Sequence, residues 1–177
     1  ASPSVVGSTS DNVTSSLALT GISGLSEGDV VLAFSIDDNQ NHTINSAGWT
    51  DIGNIAGGNQ VDRAARKTMG ATPDTTVTTS IAVDVIAAIA FRAVEYEGAS
   101  TGTTGSGTTI TPQSITVTED NSIVLVLAMI DDDVSSIATA PTGYTTAVVD
   151  GGNDGAGGSL ALFYKTGVSA GTESPSS

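Results

Sequence analysis

Two clusters of acidic residues are the first candidates for chemistry in this chain. Asp37-Asp38 follows the apolar run Val30–Ile36, and Asp131-Asp132-Asp133 follows the apolar run Ile123–Ile130. Carboxylates gathered at strand ends could bind Ca²⁺, a hard cation that prefers several oxygen ligands. Neither loop has a recognisable ligand spacing, and acidic residues also end strands and keep loop tips hydrated. The second interpretation is favoured, so no metal site is predicted.

Other residues that serve in catalysis or metal binding are few. The chain has no cysteine, which excludes disulfides and thiolate metal sites, and its single histidine, His42, lies in the polar loop "NQNHTIN", where exposure is expected. "DGGNDG" (Asp150–Gly155) lacks an oxygen ligand at Gly152 and the closing Glu of a calcium loop, so a glycine-rich turn is predicted. No serine sits in a Gly-x-Ser-x-Gly elbow between strand and helix. We therefore expect no enzyme and no cofactor.

The charge of the chain limits its partners. Five Lys and Arg stand against 19 Asp and Glu, which gives a net charge of −14. Binding to nucleic acid requires a surplus of cations, and anionic membrane surfaces repel an acidic protein, so neither is an expected partner. The longest apolar run, Val85–Phe91, is far too short to cross a bilayer, and the chain is expected to be soluble when free.

A small basic cluster is the one candidate interface. Arg63, Arg66 and Lys67 are three of the five cations, and on a strand Arg63 and Lys67 would share one face while Arg66 faces the other. In so acidic a chain, such a cluster complements an acidic partner, including a second copy of the chain. Local charge balancing with Asp62 and Asp74 is an equally good interpretation.

An internal repeat organises these residues. "GDVVLAFSIDDNQNHTINSAGWT" (Gly28–Thr50) is matched by "NSIVLVLAMIDDDVSSIATAPTGYT" (Asn121–Thr145), and each copy ends in Gly-aromatic-Thr. The offset grows from 93 between Val30 and Ile123 to 98 between Lys67 and Lys165, as small loop insertions would produce. We predict one domain over residues 1–177, with half-repeats at about 14–97 and 109–177 joined by a Gly/Ser/Thr-rich bridge at 98–108.

Alternating apolar residues and glycine-rich turns predict strands throughout. The two apolar runs of the repeat are strands, and the second, apolar on both faces, is expected to sit centrally. The repeat also predicts a strand over Asp62–Thr68, although its composition would suit a helix. Further strands are predicted at Ser4–Thr9, Ser16–Ile22, Thr75–Ile81, Val85–Glu97, Thr109–Thr118, Tyr144–Val149 and Ser159–Thr166. The fold class is all-β, a jelly-roll-like β-sandwich built from the two half-repeats.

Two features of the repeat bear on function. Trp49 and Tyr144 occupy equivalent positions, which favours a shared packing role over an exposed aromatic platform for sugars. Copy one continues after its Lys-Thr strand into two more strands, whereas copy two stops at "SAGTESPSS". Either the chain continues further or a sheet edge is left open to pair with another chain.

Several segments resemble a β-sandwich domain of tailed-bacteriophage virion proteins. They are "PSVVGSTS", "EGDVVLAFSID" with "AGWTDI", and "SLALFYKTGVSAGTESP", and the resemblance spans Pro3 to Pro175. Over this range the chain is similar to capsid cement (decoration) proteins and to modules of head and tail fibres. In that family Gly28-Asp29 would start a strand, Gly48-Trp49-Thr50 would follow the loop, and Tyr164-Lys165 would lie in a core strand.

The resemblance implies a structural protein of the capsid exterior, located in the virion, with the major capsid protein and other copies of itself as partners. It also implies a homo-oligomer, with a trimer favoured. The alternative hypothesis is a receptor- or glycan-binding module of a phage fibre. Both hypotheses are expectations that follow from the resemblance. The motifs of that family are structural and carry no catalytic residues.

Overall fold

The computed structural model describes residues 1–38, 40–53, 56–57, 60–100, 102, 111–130, 139–151 and 157–176. Over these ranges almost all of the regular secondary structure is antiparallel β-strand, as the sequence predicts. A single 3-10 turn at Leu19–Gly21 interrupts the strands. The strands are β1 Ser4–Ala18, β2 Val30–Asp37, β3 Thr50–Gly53, β4 Ala56–Gly57, β5 Gln60–Thr68, β6 Thr76–Arg92, β7 Ile115–Val117, β8 Ser122–Ile130, β9 Thr145–Asp150, β10 Ser159–Val168 and β11 Gly171–Glu173.

The first half of the chain forms a six-stranded sheet. Its order is β1-β6-β2-β5-β3, and β4 pairs with β5. The long strand β6 pairs with β1 from Ser4 opposite Arg92 to Ala18 opposite Thr76, and with β2 from Val30 opposite Phe91 to Ile36 opposite Val85. β2 and the Val85–Phe91 part of β6 are buried on both faces, and they occupy the centre of the sheet.

The second half repeats part of this sheet with the same register. β8, β10 and β9 form a three-stranded sheet, in the places that β2, β5 and β3 take in the first half. Val31 lies opposite Lys67 just as Val124 lies opposite Lys165, and the pair Thr50–Arg66 recurs as Thr145–Tyr164. A two-stranded ladder of β7 and β11 accompanies this sheet. The repeat is therefore a repeat of strand pairing as well as of sequence.

The two sheets share one hydrophobic interior. Alternate residues of β2 and β6 face Val148, Leu160 and Leu162 of the second half in a single buried cluster. Each sheet also has a smaller core on its outer face, one around Val31, Ala33 and Ile86, the other around Val126, Ala161 and Phe163. This is the layered packing of a β-sandwich, in which each inner face supplies half of the core.

Five strand predictions need correction. Ser4–Thr9 and Ser16–Ile22 belong to one strand, β1, that ends at Ala18, and Thr75–Ile81 and Val85–Glu97 join into β6, which ends at Arg92. Sequence patterns separated them because polar residues lie in the middle of each long strand. Residues 109 and 110 of the predicted strand Thr109–Thr118 fall outside the described ranges, and of the rest only Ile115–Val117 (β7) is a strand.

The predicted central position of β8 is wrong. In the described sheet β8 is the edge strand, with β10 as its one described neighbour, and β10 lies in the centre. The eight residues of β2 are all buried, although Ser35 and Asp37 are polar, whereas the corresponding residues of β8 alternate between buried and partly buried. Composition reports how a strand's faces pack, and it does not report how many neighbours the strand has.

Among the described residues, no helix has the length and apolar character needed to cross a membrane.

Candidate functional site

The Gly-aromatic-Thr signature builds the same polar cluster in both halves. In the first, Trp49 Nε1 donates to Asp74 Oδ2 at 3.0 Å, and Lys67 Nζ lies 2.8 Å from the same oxygen. In the second, Tyr144 Oη donates to Glu173 Oε1 at 3.1 Å, and Lys165 Nζ lies 2.8 Å from it. We call these the twin aromatic–carboxylate–lysine clusters.

Backbone geometry explains the glycine in each signature. Gly48 and Gly143 have φ of +77° and +82°, a left-handed conformation that glycine adopts without strain. The backbone then turns so that the aromatic side chain packs under its own sheet while the next residue continues toward β3 or β9. A Cβ on Gly48 would also lie 3.4 Å from Lys67 Nζ. The signature is thus a structural corner.

The packing interpretation of the two aromatic residues is confirmed. Tyr144 is buried within the outer core of the second half, and Trp49 is partly buried against the outer core of the first. Burial raises the pKa of Tyr144, and its hydrogen bond to Glu173 adds to this shift. The Lys165 ammonium holds the pKa of Glu173 below its usual range. Both rings are committed to internal contacts.

We expect each twin cluster to contribute about 1 kcal/mol to stability, because its lysine and carboxylate are partly exposed and screened by solvent. A double-mutant cycle with Lys165→Met and Glu173→Gln should give a coupling free energy of that size in urea unfolding. The matched cycle, Lys67→Met with Asp74→Asn, should give a similar value. If the effects of the two single substitutions on the free energy of unfolding are additive in both cycles, the lysine and the carboxylate do not stabilise the fold as a pair.

His42 is buried, contrary to the expected exposure. Its Nε2 lies 2.8 Å from Ser35 Oγ, and its Nδ1 lies 3.3 Å from the carbonyl oxygen of Gln40. Arg63 Nε donates to the carbonyl oxygen of His42 at 2.6 Å. Burial lowers the pKa of His42, which favours the neutral ring. The sequence did not predict this burial, because the hydrogen-bond partner that allows the imidazole ring to be buried is Ser35, on β2.

Ser35 and His42 have the hydrogen-bonded geometry of a nucleophile and its base. Their relative exposures are 0% and 1%, so a substrate carbonyl cannot reach the serine oxygen in this fold. The pair anchors the loop after β2 to the outer face of the first sheet.

The described carboxylates that could hold a metal ion are Asp37, Asp38 and Asp84. They offer ligand atoms within 4.8 Å of one another. Asp84 Oδ2 already accepts hydrogen bonds from the backbone nitrogens of Asp38 and Gly158, both at 2.9 Å, and Asp37 Oδ1 accepts one from Gln40 N at 2.7 Å. Through Gly158, Asp84 ties the start of β10 to the first sheet.

The other acidic segments singled out in the sequence lie only partly within the described residues. Asp131-Asp132-Asp133 lies outside the described residues, as does Gly152 of "DGGNDG". Asp150 accepts a hydrogen bond of 3.2 Å from Asn12 Nδ2 on β1. Asp37 is buried, so it does not serve to hydrate a loop tip. Most of the bridge at 98–108 likewise falls outside the described ranges.

The predicted basic cluster is divided by the sheet. Lys67 binds Asp74 and the carbonyl oxygen of Ala47. Arg66 faces the shared interior, with its guanidinium carbon 4.7 Å from the centroid of the Tyr96 ring. Arg63 binds backbone oxygens and Asn41 Oδ1 on the outer face. All three cations make intramolecular contacts, which agrees with the alternative of local charge balancing. The partner interface at Arg63, Arg66 and Lys67 stays a prediction.

An ion pair between a buried carboxylate, Asp29, and an exposed arginine, Arg92, anchors the start of β2. Asp29 is 1% exposed, and its two carboxylate oxygens accept from Arg92 Nε at 2.8 Å and Arg92 Nη2 at 2.7 Å. Ser26 donates to Asp29 through both its backbone nitrogen and its hydroxyl group. The bond to Arg92 holds the pKa of Asp29 below its usual range. The two residues are 63 positions apart, so no local pattern could reveal the pair.

Asp62 is the least satisfied acidic side chain that the described residues include. It is 7% exposed, and its Oδ1 has no hydrogen-bond partner. Burial raises the pKa of Asp62 to about 7, against a smaller opposing effect of Arg63. The sequence offered Asp62 as a counter-ion of the basic cluster, yet its carboxylate makes no ion pair with a described residue.

Comparisons with protein-family models, with curated proteins and with solved structures give no match for this chain.

Proposed function

We propose that this chain is a structural virion protein that cements or decorates the outside of a phage capsid through protein–protein contacts. The observation that carries the proposal is the place of the resembling segments in the fold. Gly28-Asp29 leads into β2 and is fixed there by Arg92, Gly48-Trp49-Thr50 forms the corner before β3, and Tyr164-Lys165 lies in the central strand β10. These are framework positions of a sandwich.

The way this chain uses its reactive side chains supports a role in assembly. The Ser35–His42 pair is closed off from solvent, and the cations of both twin clusters bind internal carboxylates. Side chains of these types serve packing and anchoring here. What such a fold offers a partner is its surface and its strand edges.

The test of this function is binding to capsids of the phage that encodes the chain. Purified protein added to shells that lack it should occupy them to a fixed stoichiometry in co-sedimentation. It should also raise the temperature at which the shells disrupt, because each bound copy bridges neighbouring subunits. A gene beside that of the major capsid protein is the expected genomic position.

Different results would overturn the proposal. Absence of shell binding, with specific adsorption to cells or to a glycan array, would support a fibre module instead. Turnover of a polysaccharide or ester would contradict the expectation of a non-enzyme. A monodisperse, thermally robust monomer in light scattering would count against the homo-oligomer, trimer included.

A further inference from the structure

β8 is an edge strand in the described sheet, but its composition is typical of a strand inside a sheet. β8 has nine residues, "SIVLVLAMI", with no charge and one polar side chain, and the described strands pair with it on the β10 side alone. Natural edge strands are usually short, charged, bulged or polar, which prevents pairing with other chains. β1 and β3, the edges of the other sheet, follow that rule: β1 is rich in Ser and Thr, and β3 has four residues.

The first half of the chain shows what such a strand requires. β2 corresponds to β8 in sequence and register, and its second edge is paired with Val85–Phe91 of β6, antiparallel. In that arrangement Val30, Leu32, Phe34 and Ile36 are each no more than 9% exposed. No described strand of the second half takes the place of this part of β6.

Side-chain burial is consistent with an unfinished edge. The residues of β8 that correspond to the inner row of β2 are Ile123, Leu125, Leu127 and Met129, and all four pack against the shared interior while remaining only partly buried. The row on the opposite face, Val124, Val126 and Ala128, is fully buried in the outer core. Apolar surface along the inner row is therefore left in contact with water, which disfavours this state in proportion to its area.

We propose that the free edge of β8 is an acceptor for an antiparallel β-strand supplied by another polypeptide. The occupant is defined by Val85–Phe91 of β6: about seven uncharged, apolar residues. The row on the interior side is Val, Ala, Ile and Phe in β6, and the row on the other face is Ile, Ala and Ala. Main-chain hydrogen bonds would supply affinity, and the inner row would select the side chains. This inference rests on the fold and not on the proposed virion function.

The test uses a peptide with the sequence of residues 83–92, "VDVIAAIAFR", extended by two lysines at each end for solubility, and the full chain. Binding should slow hydrogen exchange at every second amide of β8, while amides of the edge strand β9 keep their rates. A peptide N-methylated at alternate residues keeps its charge and side chains but loses backbone pairing. Its affinity should fall by more than about tenfold.

A variant of the acceptor provides a second readout. Leu127→Lys places a charge in the inner row and should abolish peptide binding, whereas Val149→Lys, at an exposed position of β9, should leave it unchanged. If Leu127→Lys does not fold, the N-methylated peptide still decides the question.

Three results would overturn the inference. They are equal binding of the N-methylated peptide, binding without protection of β8, and β8 amides that are already protected in the free monomer. Protection in a dimer of the free chain would support the inference and identify a second copy as the occupant. Peptide binding and capsid binding are measured separately, so failure of one does not imply failure of the other.

Discussion

Replacing Asp62 with asparagine should stabilise the protein at neutral pH. Asp62 is buried without a hydrogen-bond partner for Oδ1, and its pKa is raised to about 7. In the unfolded chain the same carboxyl group ionises near pH 3.9. The difference corresponds to about 4 kcal/mol of lost stability once the pH exceeds 7. Asp62→Asn keeps the shape and removes this cost.

The sign of the effect follows from proton binding. Below about pH 4 the carboxyl group is protonated in both states, and it contributes nothing to the pH dependence. Between about pH 4 and pH 7 the unfolded chain loses this proton while the folded chain keeps it, so stability falls as the pH rises. His42 acts in the opposite direction, because its lowered pKa costs stability as the pH falls below about 6.5.

Urea unfolding of the wild type and Asp62→Asn from pH 4 to pH 8 separates these contributions. The difference between the two free energies of unfolding should be small at pH 4 and should grow to a few kcal/mol at pH 8, with the contribution of His42 cancelling. Asp51→Asn, at an exposed position of β3, is the matched control for the loss of a surface carboxylate. A constant difference would mean that Asp62 is ionised in the folded protein.

Removing Asp29 should be among the most destabilising single changes to a polar residue. Asp29→Ala leaves Ser26 N without its acceptor and breaks both bonds from Arg92. Loss of one partner of a buried ion pair typically costs 3–5 kcal/mol, and because Arg92 is half exposed we expect about 2–3 kcal/mol. Thermal or urea unfolding near pH 7 measures it.

Two comparisons make the Asp29 result specific. Glu95→Ala, at an exposed position past the end of β6, should change the free energy of unfolding by less than about 0.5 kcal/mol. The destabilisation by Asp29→Ala should shrink as the pH falls below about 4, because the lowered pKa of Asp29 contributes stability only while the carboxylate is ionised. A loss that persists unchanged at pH 2 would indicate packing and not the ion pair.

The sequence predicted the strands best where the repeat could be used. Asp62–Thr68 has a composition suited to a helix, and alignment with "SLALFYKT" identified it correctly as a strand. The same alignment, extended beyond Lys67 and Lys165, would have found Asp74 and Glu173, which lie seven and eight residues after their lysines. Of these two carboxylates, the sequence predicted only Asp74, as a counter-ion of the basic cluster, and neither twin cluster was predicted.

Other contacts had no signal in the sequence. The bonds of Asp29 to Arg92 and of Asp84 to Gly158 span 63 and 74 residues, and they depend on how β6 crosses the first sheet and meets the second. The burial of His42 depends on a serine that points out of β2 toward the loop. Such pairs are consequences of strand order, which periodicity along one segment does not encode.

The pairing of β1 with β6 has a consequence for how the chain acquires its fold. Ser4 must find Arg92, so the first strand of the protein cannot be paired until the sixth has been synthesised. At ribosomal rates of about 5–20 residues per second, β1 waits roughly 4–18 s for this partner. Contacts of such sequence separation make folding slow, on the millisecond-to-second scale of other β-proteins. The Ser/Thr-rich composition of β1 keeps the waiting strand hydrated during that interval.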